Sequence, residues 1–176
     1  MNVSSAYLIG LIAGLVAVAA AFTIMGLKKD RSAPQRYDER QTLARLKAYR
    51  AAFFTLIAYL LINELVKSLL DMRWGEAFVE PFIGICAALT LFVILCVFSD
   101  AYFALNEKRP FYMRLFAAAI VVNAVPIVMN IADGEGFTTN GLVNFHAMNI
   151  VILVMFALII ASLAVKAALD RRAKAE

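Results

Sequence analysis

Five apolar runs dominate this chain: residues 6–27, 51–70, 81–103, 112–132 and 142–165. Each approaches the roughly 20 residues that an α-helix needs to cross the hydrocarbon core of a bilayer. A soluble helical bundle would break such runs with polar side chains every third or fourth position. It would also carry about a quarter charged residues, whereas this chain has 17% charged and 63% hydrophobic residues. The expected fold is all-α: a polytopic membrane protein of five transmembrane helices forming one domain over residues 1–176. The connections are too short for a separate soluble module.

Lys and Arg placement sets the expected orientation. Residues 28–50 hold eight basic side chains, the connection after the third run holds Lys108, Arg109 and Arg114, and the tail holds Lys166, Arg171, Arg172 and Lys174. Fifteen of the seventeen basic residues thus fall on one side, and only Lys67 and Arg73 on the other. That other side collects Asp71, Glu76, Glu80, Asp133 and Glu135. The positive-inside rule then predicts an N-out, C-in chain in the inner (cytoplasmic) membrane. The first run reads as a reversed anchor rather than a signal peptide, because Lys28 and Lys29 follow it and no basic residue precedes it. The net charge of +4 is explained by this bias, so no nucleic-acid partner is expected.

Residues 32–50 read as a cytoplasmic amphipathic helix lying along the inner interface and continuing into the second run. Ser32 with Gln35, and Asp38 with Gln41, have capping-box spacing, and Leu43, Leu46 and Tyr49 form an apolar stripe among charges. Pro81 suits a helix start, and Trp74 and Phe78 suit an interfacial belt. Gly134, Gly136 and Gly141 mark a turn-rich connection before the fifth run. Gly10 and Gly14 permit close helix approach, either within the bundle or in a homo-oligomer. Cys86 and Cys96, about 15 Å apart along one helix, are too distant to pair.

Ionisable residues within a span are costly and are candidates for function. Glu64 lies about 9 Å below the outer end of the second run, beside Asn63 and one turn from Lys67. His146 and Asn149 share a face at similar depth in the fifth run. Asn123, Pro126 and Asn130 line one stripe of the fourth. These residues form a candidate ligand-binding pocket in the outer half of the bundle: Glu64, His146, Asn149, Asn63, Asn123, Asn130 and Lys67. Three readings remain open for them: hydrogen-bonding between helices, a ligand or ion cavity, or a proton-linked site. Asp100, near the inner end of the third run, is expected to pair with a basic residue such as Arg50 or Arg114.

Enzyme signatures are mostly absent. One histidine cannot build a multi-His zinc site, no H-E-x-x-H, G-x-S-x-G or C-x-x-C motif occurs, and only one aspartate lies in a span. No catalytic residue, metal or cofactor is expected.

The segment Tyr37-Asp38-Glu39-Arg40-Gln41, followed by Lys47-Ala48-Tyr49-Arg50-Ala51-Ala52-Phe53-Phe54-Thr55, resembles a group of small bacterial multi-helix membrane proteins of unknown function. They share a D-E-R-Q segment running into a helix that opens with aromatic residues. The resemblance covers residues 37–65, and Leu46 stands where those proteins often carry glycine. It implies a bacterial membrane protein and no particular activity.

Two functions are therefore carried forward, ahead of a third, an intramembrane enzyme using Glu64 and His146 as an acid–base pair. The first is a non-enzymatic accessory or regulatory membrane protein that docks a cytoplasmic partner through Tyr37, Asp38, Glu39, Arg40 and Gln41. The alternative is a small-molecule or ion carrier, or the substrate-binding subunit of a transporter, using the Glu64/His146 pocket.

Overall fold

The computed structural model describes residues 37–104 and 109–173. The first apolar run, the Gly10/Gly14 pair and the Ser32/Gln35 capping box lie outside them. The described residues are mostly helical and contain four helices long and apolar enough to cross a membrane.

The first, α1 (Glu39–Leu70), is continuous from the charged segment through the second apolar run. Asp38 starts it: Gln41 N donates to Asp38 Oδ1 at 2.6 Å, and Asp38 N donates back to Gln41 Oε1 at 3.3 Å. This reciprocal box satisfies two donors that a helix start otherwise leaves unpaired. At about 1.5 Å per residue, its 32 residues extend roughly 48 Å. It stops at Asp71, in left-handed backbone with φ 50°.

α2 (Val79–Phe98) carries Pro81 in its first turn, where a missing N–H costs no hydrogen bond. It ends five residues before the expected boundary at 103. Asp100 adopts φ 54°, Ala101 N donates to Cys96 O at 2.8 Å, and Asp100 N to Val97 O at 3.2 Å. This is a Schellman stop, and its apolar partners Cys96 and Ala101 are fully buried. Asp100 therefore lies in a terminating turn, outside the span.

α3 (Arg109–Ala132) contains Pro126 and ends in the same kind of motif. Gly134 takes φ 73°, and Glu135 N donates to Asn130 O at 2.9 Å. The fifth run does not start as helix at residue 142. Asn140 and Gly141, at φ 53° and 81°, turn a two-residue hairpin between β1 (Thr138–Thr139) and β2 (Leu142–Val143). Positive φ at both turn residues matches strand twist and suits Asn-Gly. A 3-10 turn (Phe145–Ala147) follows, and α4 (Met148–Ala173) runs on into the basic tail, eight residues beyond the expected end at 165.

α1 packs on α2, α2 on α4, and α4 on α3. α4 therefore lies between α2 and α3 in the order of packing. The start of α1 and the ends of α2 and α4 meet at one end of the bundle, the basic end. The other, the hairpin end, holds the hairpin and the α1–α2 connection. Large apolar side chains such as Phe54, Leu61, Ile62, Val121, Val122, Val128 and Ile131 are exposed along the helices. An apolar exterior on this scale belongs to a protein solvated by lipid. The chain is a multi-pass membrane protein built as a helical bundle.

Candidate functional site

Two polar clusters are built into this bundle, one at each end. At the hairpin end the organising residue is Glu80, which is 0% exposed. Its Oε2 accepts from Asn63 Nδ2 at 3.2 Å and its Oε1 from Gly75 N at 3.1 Å. Lys67 Nζ closes on Oε2 as an ion pair, while also holding Glu64 Oε1 at 2.8 Å. Trp74 Nε1 donates to Asn63 Oδ1 at 2.8 Å, and Tyr59 Oη to the Glu80 carbonyl at 2.8 Å. A buried carboxylate is tolerated when paired and hydrogen-bonded in this way.

The hairpin reaches this network through the α1–α2 connection. Val143 N donates to Trp74 O and Glu76 N to Val143 O, each at 2.9 Å, so Gly75 pairs with Val143 as a parallel bridge. Asn144, 5% exposed, fastens the hairpin, donating to Gly136 O at 2.9 Å and Thr139 Oγ1 at 3.1 Å. It also accepts from His146 N at 3.1 Å.

The residues expected to share an outer pocket are distributed differently. Asn63 and Lys67 join Glu80. The Glu64 side chain is 69% exposed and, among the described residues, pairs with Lys67. His146 stands on the 3-10 turn, because the hairpin occupies the positions expected to begin the helix, and its Nε2 pairs with Glu135 Oε2 at 3.1 Å. Asn149 is half-buried in the first turn of α4. Asn123 turns back on its own helix, donating to Ala119 O at 2.8 Å. Asn130, half-buried, supplies its carbonyl to the α3 stop. Glu64 and His146 thus take different polar partners. Glu80 and Asn144 were the functional-looking residues that sequence reasoning passed over.

At the basic end the D-E-R-Q segment is tied into the fold. Gln41 Nε2 donates to Asp100 O at 2.7 Å and to Phe103 O at 3.3 Å, so α1 holds the turn that ends α2. Arg45 Nη1 donates to Ala101 O at 3.2 Å and stacks on Tyr37, 4.3 Å from the ring centroid. Asp100 pairs with Lys166 at 3.0 Å and, more loosely, with Arg40 at 3.9 Å. These partners stand in place of the expected Arg50 and Arg114; α4, which carries Lys166, packs beside α2. Lys166 also holds Asp170 at 2.8 Å. Glu39 is exposed, and Arg40 has 73% of its side chain exposed.

These groups surround a cavity of ≈ 670 Å³, with Asp38, Arg40, Gln41, Asp100, Lys166 and Asp170 on its polar wall. Val97, Phe103, Ala104, Met113, Leu163 and Ala164 supply the apolar lining. Comparison of the chain with protein families, curated proteins and solved structures finds no match. The two clusters differ in what they can do. Glu80 is buried and paired with its donors, an arrangement that joins α1 to α2. The basic-end cavity has volume, both signs of charge and an exposed guanidinium, and it is the candidate site. Among the described residues no group of three His, Cys, Asp or Glu side chains is placed to hold a metal ion.

Proposed function

We propose that this chain is a non-enzymatic accessory or regulatory protein of the bacterial inner membrane. It crosses five times, N-out and C-in, and works through its basic end. The distribution of Lys and Arg supports this orientation. The observation that carries the reading is the position of Arg40: its guanidinium is exposed at the cavity, while its neighbours Asp38 and Gln41 anchor α1 and the end of α2. A cytoplasmic partner engaging Glu39 and Arg40 would bear on the junction of α1, α2 and α4 without needing a catalytic group.

The test is crosslinking from a photoreactive residue at Glu39 of the full chain in native membranes, with and without Arg40→Ala. The expected result is a protein adduct that Arg40→Ala removes at unchanged melting temperature. Identical adducts with and without the substitution would overturn the reading. Asp38→Ala is unsuitable, since it removes the helix cap.

A further inference from the structure

We propose that the basic-end cavity binds a phospholipid with a primary-ammonium headgroup, of the phosphatidylethanolamine class. This rests on the reading of that end as the working end, and it requires no protein partner. The cavity, ≈ 670 Å³, falls within the usual range for small-molecule sites.

The charge pattern selects a zwitterion. The polar wall holds two cations, Arg40 and Lys166, and three carboxylates, Asp38, Asp100 and Asp170. Asp38 is spent on capping: it accepts Gln41 N, and the positive end of α1 offsets its charge. Two cations and two carboxylates remain. An anionic headgroup would meet both carboxylates, and a purely cationic one would meet Arg40 and Lys166. A headgroup with one of each sign suits both pairs.

The ion pairs are arranged to admit it. Arg40 lies 3.9 Å from Asp100, too far for a hydrogen bond, so its fork of donors is open to a phosphate. Lys166 is shared between Asp100 at 3.0 Å and Asp170 at 2.8 Å. A phosphate taking the place of one carboxylate at Lys166 releases that carboxylate to the incoming ammonium, so the pairing count is kept. A primary ammonium offers three N–H donors, whereas a trimethylated one offers none.

The source is fixed by the other wall. Val97, Met113, Leu163 and Ala164 belong to helices long and apolar enough to cross a membrane. Met113 and Ala164 are exposed on those helices, so the cavity's apolar lining is continuous with a surface that acyl chains would cover. A soluble zwitterion would leave that surface uncovered.

The experiment is native mass spectrometry of the purified full chain in detergent, with chain-matched dioleoyl phosphatidylethanolamine, phosphatidylcholine and phosphatidylglycerol at equal concentration. Phosphatidylethanolamine is expected to be retained about tenfold over either of the others, the scale of one charge-assisted hydrogen bond. Arg40→Gln and Asp170→Asn are each expected to lower that retention by about tenfold with the melting temperature unchanged. Glycerophosphoethanolamine at the same concentration is expected not to displace the lipid. Equal retention of the three lipids, a preference for phosphatidylglycerol, indifference to both substitutions, or displacement by the soluble headgroup would each overturn the proposal. Lipid selectivity without a Glu39 crosslink would refute only the partner reading, and a crosslink without lipid selectivity only this one.

Discussion

Asn63 Nδ2 donates to the buried Glu80 Oε2 at 3.2 Å, joining α1 to α2 across the hairpin end. Lys67 completes the charge on the same oxygen, and Gly75 N fills the other. Replacing Glu80 with alanine leaves two donors, Asn63 Nδ2 and Gly75 N, facing an empty site and Lys67 without its buried partner. Glu80→Ala is expected to cost about 3–5 kcal/mol, read as a lowered melting temperature in detergent. Glu64→Ala, which touches only an exposed pair, should change stability by less than about 1 kcal/mol. Similar losses from both would show that the network does not hold the helices.

Gly84 on α2 lies under the ring of Tyr59, and a Cβ built there overlaps that ring. Gly84→Ala must displace Tyr59 and break its 2.8 Å hydrogen bond to the Glu80 carbonyl. The expected loss is about 1–3 kcal/mol, as for other overpacked contacts. Tyr59→Phe, which removes only the hydroxyl, should cost about 1 kcal/mol. In Gly84→Ala combined with Tyr59→Ala the overlap is gone, so adding Gly84→Ala to Tyr59→Ala should cost nothing further, and an undiminished penalty there would contradict the contact.

Much of this architecture is legible in the sequence, and the failures share a cause. Asp38 with Gln41, three residues apart, announces a capping box, and Pro81 announces a helix start; both are local signals that packing did not override. Asn140-Gly141 was an equally local hairpin signal, hidden because Leu142 and Val143 read as the first residues of a long apolar run. That displacement carries His146 onto the 3-10 turn, where it pairs with Glu135. Depth along a helix can be counted from sequence, but which way a side chain faces depends on which helices become neighbours. Glu80 looked like a loop charge before a proline, but Asn63 and Lys67 of α1 and the Gly75 N–H enclose its carboxylate. Asp100 was expected to find a base, and α4 packing beside α2 made that base Lys166.

Asp100 does two jobs that substitution can separate. It adopts the left-handed φ of the α2 stop and it pairs with Lys166 and Arg40. Asp100→Asn tolerates the backbone and loses the charge, while Asp100→Ala loses both and adds about 1 kcal/mol of backbone strain. Thermal melts should therefore rank wild type, then Asn, then Ala. Asn and Ala variants melting together would remove the backbone contribution.

Gly141→Ala places a Cβ at φ 81° in the turn between Thr139 and Leu142. The expected loss is about 1 kcal/mol, confined to the hairpin. Amide exchange should accelerate at Val143 and Glu76, whose N–H groups form the bridge to the α1–α2 connection, and stay unchanged at Gln41. Unchanged exchange at Val143 would contradict this account of the hairpin.

The proposed function stands on the basic end, with Arg40, Asp100 and Lys166, facing the cytoplasm. Single-cysteine labelling with a membrane-impermeant maleimide tests this directly in intact cells. Both native thiols, Cys86 and Cys96, are buried and should contribute little background. Asn140→Cys, in the exposed hairpin turn, is expected to label in intact cells. Arg171→Cys, exposed near the end of α4, should label only after the membrane is permeabilised. Labelling of Arg171→Cys in intact cells with protection of Asn140→Cys would invert the chain and contradict the account.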